Sequence, residues 1–335
     1  MIRTAILGYG RNGSTMHAGP LEKNDAFEVG AVCDIDPAAQ EKAARRFGCP
    51  VYDDYHLMLE EIKPELTVIV TRSYQHAQMA IDCLMAGSNV LVTKPWATNV
   101  QDAERMIAAQ KESGKMLMPW LPARFGGDLR QIRDTLKRGD IGKVFEVRRS
   151  ECTFGRRYDW QTESKYGGGY LLNWGPHLVD QPLQLVDSPV VSVYGNLRQI
   201  INPGDVEDNL RVICHLEDGT TVVSEYLIAA GKYPAWVIQG DRGTIYADDK
   251  TITVYKVKLP ETGDASAYRE EVTCTEYTQE ITGNRYGDEY ELYEHIARAV
   301  RGEEPYFASL EGALRLSRIL DAARLSSEHG QVVTL

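Results

Sequence analysis

The sequence predicts an α/β protein of two domains, a doubly wound parallel sheet followed by an α/β domain with a mostly antiparallel sheet. Three observations predict it. Over the first 120 residues, short apolar runs alternate with longer stretches rich in Ala, Glu, Gln, Lys and Arg. The sextet GYGRNG, residues 8–13, stands between the first apolar run and the first helical stretch. From residue 190 to 280, apolar runs succeed one another with only turn signals between them. At 335 residues, 43% hydrophobic and 25% charged, the chain is long enough to bury two cores and is ordinary for a globular protein.

Taken in order, strands are predicted at residues 4–7, 27–33, 66–70, 89–92 and 116–118, with helices at 37–47, 75–86 and 99–113 between them. Such alternation brings successive strands into one parallel sheet with helices on both faces. Pro37 after Asp36 suits a helix start, because the first helical position has no use for an N–H. Gly87 and Gly114 stand where helices end. The pattern changes at WLPARFGGDL, so the domains are placed at 1–121 and 122–335. Beyond it come a helix at 127–138, a strand at 144–150, a glycine-rich loop and a helix at 170–186. The turn signals NPGD, EDG, GDRG and ADDK divide the following strands, and short turns join antiparallel neighbours. Helices at 288–301 and 310–328 close the chain.

Composition limits the partners. A formal charge of −11 and a pI near 5.2 argue against nucleic acid or an anionic membrane, both of which need a concentrated basic footprint. Six cysteines lie far apart with no C-x-x-C, which favours reduced thiols in a cytoplasmic protein. The first apolar run is too short for a secretory leader, and none approaches a membrane span of ~18 residues. The seven histidines have no close ligand spacing, so no metal is expected.

Two stretches carry chemistry. In GYGRNG, Gly8 permits the tight turn, Gly10 lets the backbone approach a pyrophosphate, and Gly13 lets the helix pack close to the strand. Tyr9, Arg11 and Asn12 complete the loop. The second strand runs into Asp34, 21 residues after Gly13, where a carboxylate accepts ribose hydroxyls and repels a 2′-phosphate. NAD is therefore expected over NADP; capping a helix is the competing role for Asp34, and Asp36 is the rival for it. TKPW, residues 93–96, follows the strand at 89–92, and ligands of open α/β sheets bind beyond the carboxyl ends of strands. Lys94 there can polarise a substrate oxygen, or be an ordinary surface lysine with its stem laid on apolar neighbours.

With these residues in view, the chain resembles the Gfo/Idh/MocA family of dinucleotide-dependent oxidoreductases along nearly its full length. GYGRNG with Asp34 matches the family's nucleotide fingerprint. TVIVTRSYQHAQMAIDCLMAGSNVLVTKP is similar to its central block, and LRQIRDTLKRGDIGKV to the start of its second domain. GGGYLLNWGPHLVD is similar to its G-G-G…D-x-G-x-H-x-x-D segment. EYELYEHIARAVRGEEP and SLEGALRLSRILDAARLSSEHG match its closing helices. The resemblance implies a Rossmann domain, a second domain with a large open sheet, and homodimers or homotetramers. The family's catalytic lysine falls on Lys94 and its histidine on His177, while its aspartate falls on Asn173. An asparagine cannot exchange a proton usefully, but it can hold a hydroxyl or an imidazole by hydrogen bonds.

Further departures are Thr93 before the lysine, where glutamate is usual, and Arg72, where proline is common. Thr71, Ser73, His76 and Pro95 complete the expected nicotinamide end, though His76 is equally well read as a helix residue satisfied by backbone. The loop at 151–169 brings Arg157, Tyr158 and Trp160, residue types that hold sugars, or that line a solvated loop. Arg124 and Asp180 join them as substrate candidates, with capping or an ion pair as the other role of Asp180. The function expected is NAD-dependent hydride transfer on a secondary alcohol of a sugar, cyclitol or glycoside. Redox-neutral glycoside cleavage through a keto-sugar and a non-catalytic dinucleotide- and sugar-binding regulator are the alternatives.

Overall fold

The computed structural model describes residues 1–260, 266, 268 and 271–335. Part of the predicted 190–280 strand region lies outside the described residues. The chain divides into two compact units.

The first unit comprises Met1–Pro122, Glu163–Asn173 and Asp288–Asp321. Its sheet has strands β1 (Ile2–Leu7), β2 (Phe27–Cys33), β3 (Val51–Tyr52), β4 (Leu66–Ile69), β5 (Asn89–Val92) and β6 (Leu117–Pro119). All pair parallel in the order β3-β2-β1-β4-β5-β6. Every residue of β4 is buried, as a strand covered on both faces requires, which is why it reads as a continuous apolar run. The chain winds outward from β1 to β3 and then returns to β4 on the other side of β1. The loops leaving β1 and β4 therefore diverge at the switch point, where such sheets leave a crevice for ligands.

The helix Pro37–Phe47 starts as predicted, with the Asp36 carboxylate accepting the Ala38 N–H at 3.0 Å. That assigns the cap to Asp36. The step β3–helix Tyr55–Ile62 escapes the sequence reading, because a two-residue strand and an eight-residue helix leave too little periodicity to detect. Leu7, Ile69, Val90, Val92, Trp96 and Met106 share the core, each contributing roughly 1.5–3 kcal/mol by burial.

The second unit comprises Ala123–Thr162, Trp174–Gly287 and Ala322–Leu335. Its sheet contains β7 (Val144–Cys152), β8 (Val190–Arg198), β9 (Asn209–Leu216), β10 (Thr221–Leu227), β11 (Trp236–Gly240), β12 (Gly243–Ala247), β13 (Thr251–Lys258), β14 (Thr273–Glu280) and β15 (Val333–Thr334). The order is β14-β13-β12-β11-β7-β10-β9-β8-β15, antiparallel throughout except for the parallel pair β7–β10. The sheet is thus large and mostly antiparallel, as expected.

One element is corrected. Instead of a single helix at 170–186 there are three helical turns, Tyr170–Asn173, Gly175–Leu178 and Asp180–Leu183. Pro176 and Pro182 each lack an N–H and crowd the carbonyl four residues back, so the helical ladder cannot run through them. No helix among the described residues is long and apolar enough to cross a membrane.

Candidate active site

In the first unit the glycine loop divides its labour. Gly8 has φ +91°, and a Cβ there would lie 2.7 Å from the Val70 carbonyl oxygen. A Cβ on Gly13 would fall 2.0 Å from the Gly8 carbonyl oxygen, so these two glycines are needed for packing. Over Gly10 a Cβ would meet nothing within 4 Å, which leaves room for a ligand against the backbone. The Tyr9 ring is buried against Phe47, and only its amide enters the loop's hydrogen bonding, donating to Asp34 Oδ2 at 2.6 Å. Asp34 Oδ1 accepts the Asp36 N–H at 2.9 Å. The carboxylate is thereby fixed beside the loop, while Arg11 and Asn12 begin the helical stretch that follows Gly10. Open space above a glycine, a helix N-terminus and a fixed carboxylate fit a pyrophosphate and a ribose.

At the ends of β4 and β5 lies a second group. Lys94 Nζ donates to Asn173 Oδ1 at 2.5 Å and to its backbone oxygen at 3.0 Å. Lys94 and Asn173, 79 residues apart in the chain, are therefore in direct contact. The Lys94–Pro95 peptide is cis. His76 is buried with Nδ1 2.7 Å from the Pro95 oxygen and Nε2 3.1 Å from the Thr71 oxygen, so its ring bridges the two strand exits through backbone. Burial, and secondarily the Lys94 charge, push its pKa down against the effect of those carbonyls. Thr93 turns inward and donates to the Ile69 oxygen at 2.9 Å. Ser73 is buried, and Arg72 lies over the Tyr166 ring.

The second unit holds His177 on the turn Gly175–Leu178, 7% exposed. Its ring packs 5.3 Å from that of Tyr286 and edge-on to Trp174 at 6.3 Å. Trp174 in turn packs 4.9 Å from Tyr226. The Tyr286 hydroxyl donates to Glu151 Oε2 at 3.1 Å, and Arg285 stands 3.2 Å from that carboxylate. Burial pushes the Tyr286 phenol up to about 12. Trp174, Tyr226, Tyr286 and Glu151 thus form the surroundings of His177, a grouping the sequence reading does not contain. Trp174 lies three residues before His177 in the chain, whereas nothing local marks the other three.

Among the substrate candidates, Arg124 and Asp180 engage each other. The guanidinium donates through Nε at 2.8 Å and Nη2 at 2.7 Å, with only 12% and 5% of the two side chains exposed. Arg157 pairs with Asp159 at 2.6 and 2.8 Å. Tyr158 is 72% exposed, and Trp160, half-buried, opens the short turn Trp160–Thr162.

A 3-2-1-4-5-6 parallel sheet with a glycine loop at its switch point defines a dinucleotide-binding fold, with Lys94 at the exit of β5. Residues 2–120 match the profile "Oxidoreductase family, NAD-binding Rossmann fold", and residues 129–246 match "GFO/IDH/MocA C-terminal domain". The chain belongs to the Gfo/Idh/MocA family of NAD-dependent oxidoreductases. Myo-inositol 2-dehydrogenase of Thermotoga maritima is 24% identical over 94% of this chain and 93% of its own. The NADP(+) scyllo-inositol 2-dehydrogenase of Bacillus subtilis is 23% identical over 100% and 96%. The WlbA dehydrogenase of Chromobacterium violaceum, solved with NADH and UDP-GlcNAcA, is 25% identical with a TM-score of 0.83, covering 100% of this chain and 96% of that one. The chain is accordingly an enzyme of the NAD(P)-dependent dehydrogenase class.

Proposed function

We propose that the protein moves a hydride between NAD and a secondary alcohol of a sugar, cyclitol or glycoside. The observation that carries this is the placement of Lys94, held by Asn173 at the exit of β5 in the same unit as the glycine loop. The dinucleotide, when bound, supplies the hydride acceptor or donor. Gly8, Gly10, Gly13 and the carboxylate of Asp34 would hold its adenosine half. Asp34 favours NAD, since a 2′-phosphate would meet its negative charge; the Bacillus subtilis relative is named for NADP(+).

In this reading Lys94 polarises the reacting oxygen, and His177 exchanges the hydroxyl proton, which an imidazole does well near neutral pH. Asn173 orients Lys94 and the substrate. Residues 1–121 then serve the cofactor, and residues 122–335 the substrate and assembly into a cytoplasmic homodimer or homotetramer, which light scattering would read. The cyclitol and nucleotide-sugar ligands named for the relatives support a polyhydroxylated substrate.

The test is absorbance at the NADH band on mixing protein and NAD with cyclitols, free sugars and glycosides. A rise with one stereochemical group is expected, and Lys94→Ala should lower turnover by about 10²–10⁴ while leaving NAD affinity in place. Equal turnover in the variant, or silence across the panel with NAD bound, overturns the reading.

A further inference from the structure

Arg72 and Asn173, two departures from the family pattern, are joined by one run of contacts within the first unit. The Arg72 guanidinium lies 4.1 Å from the centroid of the Tyr166 ring, and the Tyr74 ring packs 6.1 Å from the same ring. Lys165, 63% exposed and paired with Glu163, flanks it at 4.8 Å. The next residue, Gly167, has φ +68°, and a Cβ there would lie 2.9 Å from Ser73 Cβ and 3.1 Å from the Tyr74 nitrogen. The loop therefore sits flush on residues 73–74. Two residues on, the Gly169 oxygen accepts the Asn173 N–H at 3.0 Å, and Asn173 holds Lys94 Nζ through two oxygens.

We infer that Arg72 and Tyr166 form a latch that fixes the 163–173 segment so that Asn173 holds Lys94. An aspartate would draw the ammonium by its full charge, whereas an asparagine offers only a dipole, so the lysine's placement depends on how firmly the asparagine is anchored. A guanidinium lying over a half-buried aromatic ring supplies that anchor; proline at residue 72 has no cation to offer. Arg72 and Tyr166 are thus positioning residues. Their catalytic meaning rests on the reading of Lys94 as the group that polarises the reacting oxygen.

The test is trace acylation of the intact chain with acetic anhydride, without NAD or sugar. Lys94 labelling is read by mass spectrometry against Lys137, 70% exposed, as internal standard. Asn173→Ala should raise Lys94 labelling, and Tyr166→Leu and Arg72→Gln should each raise it by about three- to tenfold. Tyr166→Phe keeps the ring and should label as the natural chain does. Combining Tyr166→Leu with Asn173→Ala should give less than the product of the two single effects, because only the backbone oxygen of residue 173 then remains for the latch to place. If Tyr166→Leu fails to fold, Arg72→Gln decides the matter from the other side of the contact. Unchanged Lys94 labelling in the folded latch variants, no effect of Asn173→Ala, or multiplied effects in the double variant overturns the latch. A silent sugar panel would remove the dehydrogenase reading and leave this result standing.

Discussion

Asp180→Ala separates a structural ion pair from a substrate contact. The carboxylate accepts two guanidinium N–H groups from Arg124 at 2.7 and 2.8 Å, and only 5% of its side chain is exposed. Removing one partner of such a pair leaves a charge buried without its counter-ion, which costs about 3–5 kcal/mol. With a urea dependence of about 3 kcal/mol per molar for a chain of this size, the unfolding midpoint should fall by roughly 1–1.7 M. Circular dichroism and tryptophan fluorescence along a urea series at pH 7 would measure it. The double replacement Arg124→Met with Asp180→Leu removes both charges and should recover most of the loss, because an apolar pair of similar volume needs no counter-ion. An Asp180→Ala protein that unfolds at the natural midpoint but shows a raised KM would refute this reasoning and make Asp180 a substrate ligand.

Three other outcomes are expected. Asp34→Asn keeps an acceptor for the Tyr9 amide but loses the charge and the acceptor for the Asp36 N–H, so the ratio of NAD to NADP affinity should move toward NADP by about tenfold or more, read by fluorescence titration. Gly10→Ala should leave the unfolding midpoint near that of the natural chain and weaken NAD binding, whereas Gly13→Ala should destabilise the fold, since its Cβ would lie 2.0 Å from the Gly8 oxygen. Burial pushes His17 from 6.5 down to about 3, so the fold holds it neutral while the unfolded chain takes up the proton near 6.5. Its stabilisation is complete above about pH 6.5 and falls as pH drops toward 3, by up to about 1.4 kcal/mol per pH unit. In urea series at pH 7, 5 and 4, His17→Gln should flatten that fall, the amide retaining a partner for the Tyr293 hydroxyl 2.8 Å away.

Local pattern carried much of this protein. β/α alternation, GYGRNG at a strand–helix junction, and the acid ending the second strand are all features of neighbouring residues, and the parallel sheet followed from them. So did the expectation that Lys94 stands at a strand exit. The same local view failed where two rules competed: an apolar helical period at 170–186 contains Pro176 and Pro182, and the missing N–H groups broke it into three turns. It also passed over β3, whose two residues give no period at all.

Which side chains meet is another matter. Lys94 and Asn173 are 79 residues apart, Arg124 and Asp180 are 56 apart, and Tyr286 and Glu151 are 135 apart. Periodicity tells a residue which face of its own element it occupies; it says nothing of what the chain brings against that face. His76 shows the difference, for a ring satisfied by backbone was one of its two legible readings, while the particular carbonyls, those of Pro95 and Thr71, were not. The sequence by itself determined the sheet, the glycine loop and the chemical types available, because those depend on spacing along the chain. Only the tertiary structure decided that asparagine holds the lysine and that Arg124 is committed to Asp180, because a hydrogen bond depends on distance in space.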